Sequence, residues 1–170
     1  MAGNLQSKTL SLDTNVLLDM AAGVDFAVGF REVFQSKGYT LCVVPSVLAE
    51  LAYLSKNGEK GQRELARKVI TSVLDWKISI ISLSELQSSY RANFIRFAEH
   101  RRLMPPAEKN DVRILAETAI AEIPVLITTD QTLLNVDEFA LKFTCADSGL
   151  PLVNVAAAAG MWRAMRRSLR

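Results

Sequence analysis

Short apolar runs broken by single polar positions alternate along this chain with longer stretches in which apolar residues recur every three or four positions. The short runs predict strands at about Thr9 to Asp13, Thr40 to Val44, Lys77 to Leu83, Val125 to Thr128 and Leu152 to Val155. The longer stretches predict helices from Asn15 to about Ala22, through Phe26 to Ser36, from Ser46 to about Leu54, and from Gln62 to Leu74. Further helices are expected from Glu85 to Arg102, Ala107 to Ile123, near Val136 to Leu141, and from Ala156 to Leu169. Gly23, Gly38, Pro45, Gly58, Gly61, Pro105-Pro106 and Pro124 punctuate the pattern, and Ser46 and Ser84 read as N-caps. Strands separated by helices imply an α/β fold with a parallel sheet wrapped on both faces, whose strand ends meet at one edge.

At 170 residues, 49% of them hydrophobic, the chain is read as a single domain, residues 1–170, with a core large enough to need no disulfide or structural zinc. Cys42 and Cys145 form no CxxC pair and read as small core residues, which fits a reducing cytoplasm. Met1 to Ser7 lacks a signal-peptide h-region and no apolar run reaches membrane-span length, so a soluble, cytoplasmic protein is expected. The net charge of +2 is unevenly spread: the last ten residues hold Arg163, Arg166, Arg167 and Arg170 with no acid, leaving 16 basic and 18 acidic residues before them. Bulk charge therefore does not draw this body to nucleic acid, and any phosphate affinity must come from local basic patches or bound cations.

Four acids stand at element boundaries or beside apolar stripes. Asp13 ends the first strand and Asp130 follows Val125-Leu126-Ile127-Thr128, the point at which α/β folds bind ligands. Glu50 borders the stripe of Val47, Leu48, Leu51 and Leu54, one residue too late to form a capping box with Ser46. Asp111 leans to the side of Leu115 and Ala119, while Arg113 and Glu117 fall on the opposite side. Each acid also has an ordinary reading as a cap or a solvated residue. Carboxylates about 4 Å apart repel by about 1 to 4 kcal/mol in dielectrics of 80 to 20, a penalty that a divalent cation removes. Oxygen ligands without His or Cys point to Mg²⁺ or Mn²⁺, and the lone His100 cannot build a zinc site.

Four segments carry a family resemblance: Leu12-Asp13-Thr14-Asn15-Val16-Leu17-Leu18, Glu50 in Pro45-Ser46-Val47-Leu48-Ala49-Glu50-Leu51, Asn110-Asp111-Val112-Arg113-Ile114-Leu115-Ala116 after Pro105-Pro106, and Ile127-Thr128-Thr129-Asp130. In that order, over about Leu10 to Val155, they resemble the four-acid signature of PIN-domain ribonucleases. The resemblance implies a three-layer α/β/α fold with a central parallel sheet and Mg²⁺- or Mn²⁺-dependent RNA cleavage, most familiarly by VapC-like toxins of toxin/antitoxin pairs. It implies a 5′-phosphate and a 3′-hydroxyl as products. By the same resemblance Asp13, Asp111 and Asp130 coordinate metal, Glu50 is their acidic partner, and Asn15 and Thr128 orient the carboxylates. The chain departs from the toxins in reading Gln131-Thr132-Leu133-Leu134 where a further Asp and Phe are common, and in its added C-terminal helix.

The implied chemistry is hydrolysis of an RNA phosphodiester by water activated on one or two cations. Arg91, Arg96, Arg101, Arg102 and Lys109 flank the loop before Asp111 and are candidate RNA contacts beside their reading as a solvated face, with Arg101, Arg102 and Lys109 nearest. A haloacid dehalogenase-type phosphatase needs an Asp where this chain has Asn15, and a receiver domain needs paired acids at the first strand. An inactive PIN-fold module that binds RNA or protein is the alternative of a different class. Leu17, Leu18, Met20, Phe26, Phe30 and Phe34 read mostly as core, with part of the region available to an antitoxin or to a second subunit of a homodimer.

Overall fold

The structure, a computed structural model, describes residues 8–168. Five parallel strands form one sheet in the order β3-β2-β1-β4-β5: β1 (Thr9–Leu12), β2 (Thr40–Val43), β3 (Ser79–Ile80), β4 (Val125–Thr128) and β5 (Asn154–Ala157). The central strands are buried almost throughout, as a parallel sheet covered on both faces requires. Connecting them are α1 (Thr14–Ala22), α2 (Asp25–Ser36), α3 (Pro45–Asn57), α4 (Lys60–Ser72), α5 (Glu85–Arg101), α6 (Lys109–Ile120), α7 (Gln131–Leu134) and α8 (Glu138–Asp147), with α9 (Ala158–Arg167) after β5. The chain builds outward from β1 through β2 to β3, then returns to lay β4 on the other side of β1. Connections leaving β1 and β4 thus diverge, and the crevice between their carboxyl ends is where such sheets bind ligands.

Local chemistry explains most boundaries. Asp13 caps α1, whose end is set by Gly23 in the left-handed conformation at φ 75°. Ser84 and Gln87 form a capping box at the start of α5. Ser46, expected to cap the third helix, lies inside it: Pro45 takes the first helical position, Val44 precedes it without a side-chain cap, and the Ser46 hydroxyl turns to another helix.

The strand expected over Lys77 to Leu83 shrinks to Ser79–Ile80, because Lys77 turns at φ 55° and this edge strand has a neighbour on one side only. The helix expected near Val136 to Leu141 extends to Asp147, with Phe139 and Phe143 exposed, and the last strand starts later, at Asn154. Cys42 and Cys145 are free and buried, and the Cys42 thiol donates to the Leu10 carbonyl. The described residues include no helix long and apolar enough to cross a membrane.

Phe30 and Phe34 stack at 4.3 Å between centroids inside the core, with Leu17 and Met20 also buried and Leu18 and Phe26 packed at its margin. The outer side of α2 is covered by α9 from the same chain. Trp162 of α9 sits over Gly29, where an added Cβ would lie 2.5 Å from the indole nitrogen. Ala156 and Ala157, expected to open the last helix, belong to β5, and Leu169 and Arg170 fall outside the described residues.

Candidate functional site

Asp13 emerges from β1 and Asp130 lies just beyond β4, so the two carboxylates flank the crevice where the sheet order reverses. Both are helix caps as well as neighbours. Asp13 Oδ1 accepts the Thr14 amide at 2.8 Å, and Asp130 Oδ1 accepts the amides of Thr132 at 2.6 Å and Leu133 at 3.3 Å. The second Asp13 oxygen accepts the Thr128 hydroxyl at 2.7 Å, while that hydroxyl takes the Asp130 amide at 2.9 Å. Burial pushes the Asp13 carboxyl up to about 6 against the lowering effect of Thr128 and Thr14, with the charges of Glu50 and Asp130 adding to the rise.

Glu50 comes from the second turn of α3, and its Oε2 accepts both the Thr14 hydroxyl at 2.6 Å and the Asn110 amide at 2.8 Å. Those two bonds tie α3 to the starts of α1 and α6. Asp111, in the first turn of α6, has a buried Oδ2 with no hydrogen-bond partner. Its carboxyl is pushed up to about 7, chiefly by burial and then by the charges of Asp13, Asp130, Glu108 and Glu50. The four acids, dispersed over more than a hundred positions of sequence, therefore share one electrostatic neighbourhood.

The donor chemistry suits a hard cation: oxygen ligands, a buried orphaned carboxylate oxygen, and mutual repulsion that a positive ion would relieve. Among the described residues, no three His, Cys, Asp or Glu side chains stand close enough to hold a metal ion as they are. The carboxylates are near enough to perturb one another, but no three of them are gathered as the ligands of one ion are.

The orienting contacts differ in part from those expected. Thr128 does contact Asp13, but Asn15 is exposed and makes no side-chain hydrogen bond among the described residues. Thr14, one helical step earlier and facing α3, makes the contact to Glu50 instead, together with Asn110. Both lie directly beside an acid of the signature, the only sequence cue to them.

Arg101 is tied to Asp147 in an ion pair between α5 and α8 and lies over the Phe97 ring. Arg96 also lies over Phe97. Arg102 and Lys109 are exposed and line a cleft of about 780 Å³ between α5 and α6, floored by Ile95, Ala98, Met104 and Val112. Arg113 joins them on its rim, which follows from its exposed helix face.

Arg91 is engaged inward with Glu117 at 2.6 Å. Glu117, read from helical periodicity as lying away from the core, is completely buried. The reason is that every residue of α6 from Val112 to Ile120 except Arg113 is buried, so the helix is enclosed by protein on nearly all sides. The Glu117 charge is accommodated by Arg91 and by Ser46, whose amide and hydroxyl donate at 2.7 and 2.9 Å.

The sequence matches no protein-family model and no curated protein. Among solved structures it is similar to a chain of VapBC2 from Rickettsia felis, a complex determined bound to a DNA fragment from their promoter, with 19% identity, a TM-score of 0.61, and coverage of 88% of this chain and 98% of that one. It is also similar to a chain of VapBC-1 from nontypeable Haemophilus influenzae, with 16% identity, a TM-score of 0.55 and the same two coverages, 88% and 98%. The likeness covers most of the chain and, with the five parallel strands, places it in the PIN-like α/β/α fold that its acidic signature led us to expect.

Proposed function

We propose that this protein is a ribonuclease that hydrolyses RNA phosphodiester bonds with the help of Mg²⁺ or Mn²⁺. The observation that carries this reading is the gathering of Asp13, Glu50, Asp111 and Asp130, from four separate segments, around a buried Asp111 oxygen that no protein group satisfies. Asp13, Asp111 and Asp130 would hold the cation, with Glu50 as their acidic partner. A hard divalent ion held there would supply Lewis acidity, which lowers the pKa of water and offsets negative charge on a phosphate. The protein's own part is positional. Thr128 fixes one oxygen of Asp13, and Thr14 with Asn110 fixes Oε2 of Glu50, leaving Oε1 to accept a hydrogen bond from the attacking water. Arg102, Lys109 and Arg113 would take the RNA backbone, contacts that position the strand without reading bases.

The similar chains come from VapBC complexes, which supports the toxin of a toxin/antitoxin pair, held by an antitoxin and pairing with a second copy of itself. The deciding experiment is cleavage of single-stranded RNA by the purified protein with Mn²⁺ or Mg²⁺, with EDTA, and with Asp13→Asn or Asp130→Asn. Loss of cleavage under chelation and in both variants supports the reading; undiminished cleavage after exhaustive chelation overturns it. One observation favours a second reading, a PIN-fold module that binds RNA without cutting it: the acids of the described residues are not drawn into a ligand set. On that reading RNA is retained intact at every cation concentration.

A further inference from the structure

The amide of Ser46 is the first free N–H of α3, since Pro45 has none and Val44 offers no side-chain acceptor. Its acceptor is Oε2 of Glu117, reaching across from α6 at 2.7 Å. Glu117 Oε1 accepts both the Ser46 hydroxyl at 2.9 Å and Arg91 Nη1 of α5 at 2.6 Å. A completely buried carboxylate therefore caps α3 from another helix and ties three helices together. Glu50 stands one turn beyond Ser46 on α3, and Asp111 six residues before Glu117 on α6. The clamp thus joins the two helices that carry half of the acidic cluster, from a point outside it.

We propose that Glu117 is a positioning residue: through Ser46 it sets the placement of α3 against α6, and with it the separation of Glu50 from Asp111 and the affinity of the cluster for a divalent cation. The consequence for the cation rests on the nuclease reading, whereas the placement of the helices does not. Beyond apolar packing, polar ties between α3 and α6 are few among the described residues. Asn110 links α6 to Glu50 itself by a single bond at 2.8 Å, and that bond belongs to the cluster it would have to hold.

The test uses the full chain with nitroxides at Tyr53 of α3 and Arg113 of α6, both exposed, with Cys42 and Cys145 buried against the label. Glu117→Gln keeps the volume and loses the charge. The double variant Glu117→Met with Arg91→Met removes both charges together, so that neither is left buried alone. Melting curves establish that each is folded at the working temperature. In both, the α3–α6 distance distribution should broaden or shift, and Mn²⁺ titrated by calorimetry should bind at least tenfold more weakly. Ser46→Thr, which keeps both donors, should retain the wild-type values. Unchanged distances in the folded variants overturn the clamp, and so does unchanged Mn²⁺ affinity beside altered distances. Wild-type protein that binds no Mn²⁺ counts against the nuclease reading, and the clamp is then decided by the distances alone.

Discussion

The hydroxyl of Thr128 donates to Asp13 at 2.7 Å, and the same oxygen accepts the amide of Asp130 at 2.9 Å. One completely buried side chain therefore joins the ends of β1 and β4, holding the carboxylate of Asp13 and the backbone of Asp130 on either side of the crevice. Thr128→Val keeps the shape and removes the donor and acceptor. A bond from a hydroxyl to a buried ionised carboxylate is worth about 1.5–3 kcal/mol, so denaturant unfolding in EDTA at pH 8 should show a loss of about that size. The Asp13 pKa, followed by carboxyl-carbon NMR, should rise above its value of about 6, because the lowering contact is gone. Thr128→Ser should recover most of both. A valine variant with unchanged stability and unchanged Asp13 titration would mean that the bond contributes nothing.

Asp111 makes the opposite kind of contribution. Its carboxyl titrates from an ordinary 3.8 in the unfolded chain to about 7 in the fold, so between those values the folded state binds more protons. Stability of the metal-free protein from this group must therefore fall as pH rises through that window and level off above it. Asp13, raised to about 6, adds the same sign over a narrower span. In EDTA, Asp111→Asn should match wild type near pH 4 and gain on it steadily toward neutrality. Melting profiles of the two proteins across pH provide the check, and a variant that melts lower at every pH would identify Asp111 as a structural residue of α6.

Adding Mn²⁺ should reverse that order. A cation that binds only the folded state raises the melting temperature in proportion to the logarithm of its concentration above Kd. Wild type at pH 7.5 should rise with Mn²⁺, and Asp111→Asn should lose most of the rise. Equal responses in the two proteins would place the ion elsewhere.

The basic residues around α5 and α6 divide by what they touch. Arg101 is committed to Asp147 and Phe97, whereas Arg102, Lys109 and Arg113 line the open cleft. Arg102→Gln, Lys109→Gln and Arg113→Gln should each weaken binding of a non-cleaved single strand similarly for all sequences. Removing one phosphate neighbour in this way should flatten the plot of log K against log salt by about 0.7. Arg101→Gln should leave that slope unchanged and cost about 1 kcal/mol or less of stability, as a partly exposed ion pair does. A slope that changes only in the Arg101 variant would invert this assignment.

The strand-end acids were legible because a parallel sheet leaves an acid few reasons to stand at the end of a buried strand: Asp13 directly follows Leu12, and Asp130 comes two residues after the last residue of β4, Thr128. Periodicity placed Glu50 and Asp111 at the margin of buried stripes, and each joins the cluster. Periodicity failed for Glu117, since a helix buried almost all round has no solvent side and angle alone cannot say what encloses it. It failed again at α8, where Phe139 and Phe143 are exposed at 74% and 56% and so break the match between apolar residue and core on which periodicity depends. The orienting partners were beyond it for another reason. Thr14 and Asn15 are adjacent polar residues, and only the position of α3 decides which of them meets Glu50.

Gly29 tests whether α9 is built into the fold. A methyl group there would stand 2.5 Å from the Trp162 indole nitrogen and 2.9 Å from the adjoining ring carbon, well inside contact distance. The indole is rigid and packs against the core, so making room for the methyl means shifting α9 against α2. The backbone at Gly29 is ordinary helix, where alanine is intrinsically favoured by about 1 kcal/mol. Propensity and packing therefore pull in opposite directions. Overpacking costs about 1–3 kcal/mol, so Gly29→Ala should be destabilising on balance, by up to about 2 kcal/mol, and should increase amide exchange along α9. Combined with Trp162→Leu, which vacates the space, the same alanine should become neutral or stabilising. The double-mutant cycle from denaturant unfolding measures this as a coupling between the two positions, and a cycle that closes with no coupling would show that α9 does not rest on α2 in solution.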